Sequence, residues 1–221
     1  MQIISSPYFM TVTALILAYF MGSISFAVII SRFMGLPDPR EYGSGNPGAT
    51  NVLRSGNRWA AALTLLADAL KGLIPVLLTR ALGTPLNWHD DNNTIVALVG
   101  LAAFAGHLWP LFFRFKGGKG VATAVGVLLA FNLILGMASI ATWLIIVYFF
   151  RYSSMAAILA AAFAPFYQTL VWGPGPQSLI LMVMSILVIW RHRGNISKLM
   201  KGTETRIGSS KTSSHSLKGK S

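Results

Sequence analysis

Residues 121–150 read VATAVGVLLAFNLILGMASIATWLIIVYFF, an apolar run without a charged residue. As one helix it would be ~45 Å long at 1.5 Å per residue, against a bilayer hydrocarbon core of ~30 Å. Asn132 and Gly136 mark a natural turn inside it. The run therefore reads as two membrane spans, near 118–134 and 136–150. One crossing or two decides the side of the membrane on which everything downstream lies.

Five other apolar segments surround this run, near residues 8–33, 59–80, 94–112, 155–171 and 177–190. The chain of 221 residues is 54% hydrophobic and only 11% charged, too apolar for an ordinary soluble domain. Met10–Ile30 has the apolar character of a signal peptide but lacks a basic leading region and an A-x-A-like site, so it reads as a retained span. There is no cysteine, hence no disulfide framework, thiolate nucleophile or Cys-type zinc cluster. The four histidines include no H-E-x-x-H, and neither a metal nor another cofactor is expected.

Charge fixes the count. With seven spans and the N-terminus outside, the inner segments and the tail hold sixteen of the 18 lysines and arginines, while the acidic pair Asp90–Asp91 lies outside. Merging residues 118–150 into one crossing would put the basic tail outside, against the positive-inside rule. The expected fold is all-α: a polytopic integral membrane protein with seven transmembrane helices, N-terminus outside and C-terminus cytoplasmic. The net charge of +12 is then a topology signal with attraction for anionic lipid, not evidence for nucleic acid.

Three inner segments are richer than topology requires. GSGNPGATN, Gly43 to Asn51, is either a flexible linker or a site built from backbone. Its glycines allow N–H groups to converge on an anion, Arg54 adds a planar fork for phosphate, and Thr50 or Asn51 is placed to cap a helix carrying Arg54 and Arg58. FRFKGGKGVAT, Phe113 to Thr123, puts two lysines around two glycines just before a helix start, where phosphate binds well; it is not a Walker A loop. The third is split between RYSS, Arg151 to Ser154, and WRHRGNISKLMKGTE, Trp190 to Glu204. His192 and Asn195 share a helix face, whereas Arg191, Arg193 and Lys198 by themselves read as a snorkelling cluster. Asp68 and Lys71, three apart in an apolar helix, are either functional or simply paired with each other. The alanine-rich MAAILAAAFAP is a helix-packing face. Residues 207–221 read as a disordered basic tail behind a single domain, 1–206.

Taken together, GSGNPGATNVLR, GHLWPLFFRFKGGKGVAT and RYSS…RHRGNISKL…E resemble the three inner-face motifs of the PlsY family, over roughly residues 8–206. These are bacterial acyl-phosphate:glycerol-3-phosphate acyltransferases. The resemblance implies a seven-helix protein of the bacterial inner (cytoplasmic) membrane with its active site facing the cytoplasm. It also implies transfer of a fatty acyl group from acyl phosphate to the 1-hydroxyl of glycerol 3-phosphate, giving lysophosphatidic acid and phosphate. The partners it implies are acyl phosphate, glycerol 3-phosphate and membrane lipid. Carried over by motif, Ser44, Arg54, Lys116, Asn195 and Glu204 are the expected catalytic residues. Gly43, Gly45, Asn46, Thr50, Gly117, Gly118, Lys119, Gly120, Ser154 and His192 are expected to line the substrates.

Other features agree. No histidine is followed by Asp at the fifth position, so the H-x-x-x-x-D pair of other glycerolipid acyltransferases is missing. An acyl phosphate is already activated, leaving the protein to position substrates and stabilise charge. GSGNPG has the wrong spacing for a G-x-S-x-G nucleophile elbow, and direct transfer without an acyl-enzyme is expected. An anion transporter is the rival from another class, but its paired re-entrant turns would face opposite sides, and here both glycine loops fall on one. An acyltransferase using acyl-CoA is the nearer alternative.

Overall fold

The computed structural model describes residues 7–83 and 93–208. Ten α-helices lie among these residues. In chain order they are α1 (Pro7–Gly22), α2 (Phe26–Phe33), α3 (Ala49–Val52), α4 (Arg58–Gly83), α5 (Thr94–Leu108), α6 (Val121–Phe131), α7 (Leu133–Phe150), α8 (Ser153–Trp172), α9 (Pro176–Arg191) and α10 (Arg193–Met200). The protein is an all-helical, multi-pass integral membrane protein. By length and apolarity four helical segments can cross a bilayer, or six if the bent pairs α1–α2 (42°) and α9–α10 (57°) each count as one span. The helix missing from the expected seven is α6, whose 11 residues cover ~16 Å of a ~30 Å core.

The thirty-residue run does break at Asn132. Its side chain accepts from the Ile134 N–H at 2.8 Å and caps α7. Beyond the break α7 folds back onto α6: a Cβ on Gly136 would stand 2.7 Å from the Leu129 Cα, too near for one continuous helix. Only 17% of the α7 window is buried, so its aromatic and aliphatic side chains, Tyr148 and Phe149 among them, face outward where lipid would lie.

Lipid offers no hydrophobic drive for helices to associate, so close backbone packing must hold them. A Cβ on Gly126 of α6 would meet the Ala69 carbonyl oxygen of α4 at 1.9 Å, and one on Gly72 of α4 would meet that of Thr123 at 2.3 Å. Between α1 and α5, Gly22 and Gly106 make the reciprocal pair. Phe104, Leu108, Val127, Leu135, Leu181 and Val188 fill the core between these contacts. Asp68 and Lys71 are both buried and paired at 2.8 Å. Lys71 also donates to the Ile24 carbonyl at 2.7 Å, satisfying backbone left open by the break between α1 and α2.

Candidate active site

The first segment is organised by Asn51, which is 2% exposed. Its Nδ2 donates to the carbonyls of Pro39 (2.6 Å) and Tyr42 (3.1 Å), while its Oδ1 accepts from the Ser44 N–H (2.9 Å) and Arg54 Nη1 (3.3 Å). One amide thus pins both sides of the loop and aims the arginine. Gly43 and Gly45 turn the loop with φ of 62° and 66°, and a Cβ on Gly43 would stand 2.3 Å from Asn51 Oδ1. The expected capping role of Thr50 or Asn51 is corrected: Gly48 is the N-cap of α3 and makes no side-chain bond. Asn51 faces inward to the loop, and Asn57 instead accepts from the Ala60 N–H at 3.0 Å, at the start of α4.

The second segment leaves α5 and doubles back, the Gly118 N–H donating to the His107 carbonyl at 3.1 Å. Gly117 and Gly118 press so closely on His107 that added Cβ atoms would lie 2.1 Å from its carbonyl oxygen and 2.2 Å from its Nε2. His107 Nδ1 is held 3.2 Å from Thr123 Oγ1, with Asp68 Oδ1 at 3.8 Å. From the other side Arg191 donates to the Gly117 carbonyl (2.5 Å) and twice to that of Gly118 (2.8 and 3.0 Å). Arg191 is therefore no snorkelling cation. The backbone carbonyls, left without partners by the turn, draw it inward.

The third segment closes the site. Beyond the end of α9 the chain kinks at His192, whose Nδ1 lies 2.8 Å from the Val188 carbonyl. A carbonyl only accepts, so Nδ1 carries the proton, and Nε2 of the neutral ring has a free lone pair. Glu204 Oε1 then receives Ser154 Oγ and Asn195 Nδ2, both at 2.7 Å, and Asn195 Oδ1 receives Lys119 Nζ at 2.5 Å. Thr50 Oγ1 and Ser153 Oγ, 3.3 Å apart, link the first segment to the start of α8. The strap after α10 is fixed by Ile207 N–H to the Arg151 carbonyl (2.7 Å), with Arg151 Nη2 returning to the Ile207 carbonyl (3.0 Å). Residues 209–221 of the expected tail lie outside the described residues.

Electrostatics favours an anion at this junction. Burial brings the Lys119 ammonium down to about 8; Glu204 opposes the shift, and the charges of Arg54, Lys198 and Arg191 add to it. Three cations and one carboxylate thus act on the Lys119 ammonium. Burial, with Lys119 as the second cause, lowers His192 to about 4, so the ring is neutral at pH 7. An anionic substrate would relieve the mutual repulsion among these cations.

The fold joins residues that the sequence holds far apart. Lys119, Ser154, Asn195 and Glu204 form one hydrogen-bonded chain, with Arg54 near enough to shift Lys119. Ser44, Gly43, Gly45 and Thr50 are exposed, and Asn46 half-buried, on the loop that Asn51 pins. Gly117, Gly118 and Gly120 form the turn between His107 and α6. Lys116 is exposed, and its side chain joins none of the hydrogen bonds just described. Sequence reasoning overlooked Asn51 as the pin of the first loop, and Arg191 and His107 as the tether and floor of the glycine-lysine turn. Only the clustering of glycines hinted that something must pack closely there.

A family profile described as glycerol-3-phosphate acyltransferase matches residues 12–202. The chain belongs to that family. The acyltransferase is 59% identical over 196 residues to the glycerol-3-phosphate acyltransferases of Paraburkholderia phytofirmans and Paraburkholderia xenovorans, covering 89% of this chain and 90% of each relative. It also matches the crystal structure of PlsY, an integral membrane glycerol 3-phosphate acyltransferase, in its glycerol 3-phosphate form. The TM-score is 0.82 at 38% identity, over 90% of this chain and 96% of that one. The lysophosphatidic acid form of PlsY gives 0.81 at 37%, over 90% and 95%.

Proposed function

We propose that this acyltransferase moves a fatty acyl group from acyl phosphate to the 1-hydroxyl of sn-glycerol 3-phosphate, giving lysophosphatidic acid and inorganic phosphate. The observation that carries the reading is the meeting of all three motifs around Lys119, with Arg54, Arg191 and Lys198 nearby and Glu204 as the neighbouring carboxylate. Two phosphates must be held near one carbonyl, and this cationic junction suits them. The acceptor hydroxyl oxygen attacks the acyl carbon, the carbon–oxygen bond to phosphate breaks, and phosphate leaves with the electron pair. A phosphate oxygen of a bound substrate takes the hydroxyl proton.

Within this reading Ser44, Arg54, Lys116, Asn195 and Glu204 form the catalytic set. Arg54 forks onto a phosphate, and Glu204 holds Ser154 and Asn195 so that Lys119 points into the site. The glycine-lysine loop, Gly117 to Gly120, takes glycerol 3-phosphate, and the Gly43–Asn46 turn, with Thr50, Ser154 and His192, completes the lining. Transfer is direct. A serine nucleophile needs a hydrogen-bonded base, and among the described residues the bond that Ser44 makes runs from its backbone N–H to Asn51, with none joining its hydroxyl to His192.

Residues 1–206 form one acyltransferase domain with seven passes, N-terminus outside, in the bacterial inner membrane. The doubling back of α7 on α6 and the meeting of the basic segments at one junction support that count, and positive-inside charge supports a cytoplasmic active site. The testing experiment supplies reconstituted enzyme with glycerol 3-phosphate and, separately, acyl phosphate, acyl-CoA or acyl carrier protein. Lysophosphatidic acid should form only from acyl phosphate, and formation from acyl-CoA alone would overturn the donor. Incubation with labelled acyl phosphate without acceptor should leave Ser44 unmodified by mass spectrometry; a kinetically competent adduct there would refute direct transfer.

A further inference from the structure

The glycine-lysine loop has two sides, and only one can face an anion. A peptide in this turn offers its N–H and carbonyl in opposite directions, so a phosphate is attracted or repelled according to which points at it. The carbonyls of Gly117 and Gly118 are both received by Arg191, through three hydrogen bonds of 2.5, 2.8 and 3.0 Å. Arg191 closes α9 and is half-buried, and it reaches 73 residues back along the chain to do this. Trp190, its neighbour, packs on Trp109 of the α5 exit with ring centroids 6.3 Å apart, fixing the end of α9 against the same turn. The floor beneath the loop is rigid, since Gly118 lies directly on the His107 ring and His107 is held by Thr123. Nothing in ordinary anchoring requires these bonds. A lysine would serve positive-inside charge, whereas only a guanidinium reaches two successive carbonyls as a fork.

We infer that Arg191 is a positioning residue for glycerol 3-phosphate: it turns the Gly117 and Gly118 carbonyls away from the substrate and, with the Gly118 N–H already given to the His107 carbonyl, holds the Lys119 N–H and side chain toward its phosphate. Arg191 acts through the loop, from the side opposite the substrate. The inference rests on assigning this loop to the acceptor. Released from Arg191, the Gly118–Lys119 peptide can rotate and present the Gly118 carbonyl oxygen to the anion, while the Gly117–Gly118 peptide stays held at its N–H by His107.

The test compares wild type with Arg191→Lys, Gly118→Ala and the double variant, measuring kcat and KM for both substrates and the melting temperature. Gly118→Ala disturbs the same turn independently, because its Cβ would meet His107 Nε2 at 2.2 Å. A displacement near 1 Å costs about a hundredfold in well-positioned chemistry. Arg191→Lys is therefore expected to raise KM for glycerol 3-phosphate roughly ten- to a hundredfold while leaving KM for acyl phosphate within about twofold. The double variant should be scarcely worse than the poorer single one, as expected when two changes act on one element. An unchanged acceptor KM, equal losses for both substrates, or fully multiplicative effects would overturn the inference. So would loss of the cooperative melt in Arg191→Lys, which would make Arg191 a fold residue. If wild type itself does not use glycerol 3-phosphate, the functional reading fails first; if it does and Arg191→Lys matches it, only the positioning role falls.

Discussion

Replacing Asn51 by leucine, which keeps the branching but puts methyl groups in place of the amide, removes four hydrogen bonds and leaves an apolar side chain at the buried position. The Pro39 carbonyl and the Ser44 N–H lose their partner, the Tyr42 carbonyl keeps only its bond from the Gly45 N–H, and Arg54 loses its aim. A buried polar group without a partner costs about 1–3 kcal/mol. Ser44 and its neighbours are exposed, so water takes over part of the loss. One to two uncompensated groups remain, about 2–4 kcal/mol in favour of a collapsed or rearranged loop. At ~1.4 kcal/mol per tenfold, kcat/KM should fall roughly 30- to 700-fold. The assay is release of phosphate from acyl phosphate with glycerol 3-phosphate as acceptor, with a thermal melt to show that the helices remain assembled. Asn51→Asp keeps the acceptor oxygen for Ser44 and Arg54 but sets a carboxylate oxygen against the Pro39 carbonyl, at the place of a 2.6 Å bond. Its defect should therefore shrink as pH falls and the acid regains a proton to donate. Near-wild-type kcat/KM in Asn51→Leu would refute the claim that this amide builds the loop.

Lys119, held at about 8, gives a pH signature. The acceptor's phosphate is fully ionised above about pH 7, so KM for glycerol 3-phosphate should climb as pH rises through 8 and the ammonium is lost. Stability runs the other way: the unfolded lysine binds protons more tightly, so this group's contribution to folding improves between about pH 8 and 10. Opposite slopes in kinetics and melting would separate the two effects, and a flat KM across that range would remove Lys119 from acceptor binding. Gly126→Val forces a Cβ into the Ala69 carbonyl, and overpacking of this kind costs about 1–3 kcal/mol. A lowered melting temperature is expected, and an unshifted melt would deny the close contact of α4 and α6. Single cysteines at positions 44, 119 and 195, in this cysteine-free chain, should resist an impermeant thiol reagent applied to intact cells; external labelling at 44 would invert the proposed topology.

The break at Asn132 was legible because an amide and a nearby glycine interrupt a long apolar run, whatever packs around them. The glycine-rich motifs were legible for a similar reason: glycine and lysine before a helix start state a local chemistry. What the sequence concealed was partnership. Arg191 sits in a basic cluster of ordinary appearance, and only the tertiary approach of the Gly117–Gly118 carbonyls turns it inward. Asn51 presents the same difficulty, since a side chain able to cap a helix is equally able to pin a loop. The span count resisted for another reason, because α6 is shorter than a bilayer crossing requires.

The bonds that assemble the site join residues 103, 76 and 50 positions apart, and two of these three end on residues after α9. During synthesis, the glycine loop and α8 are made while Asn195 and Glu204 do not yet exist. A chain inserted only as far as α8 has Lys119 without its tether, and the carbonyls of Gly117 and Gly118 without Arg191. Biogenesis therefore imposes an order on assembly: this junction has no finished form until α9 and α10 have been made and the strap has reached Arg151.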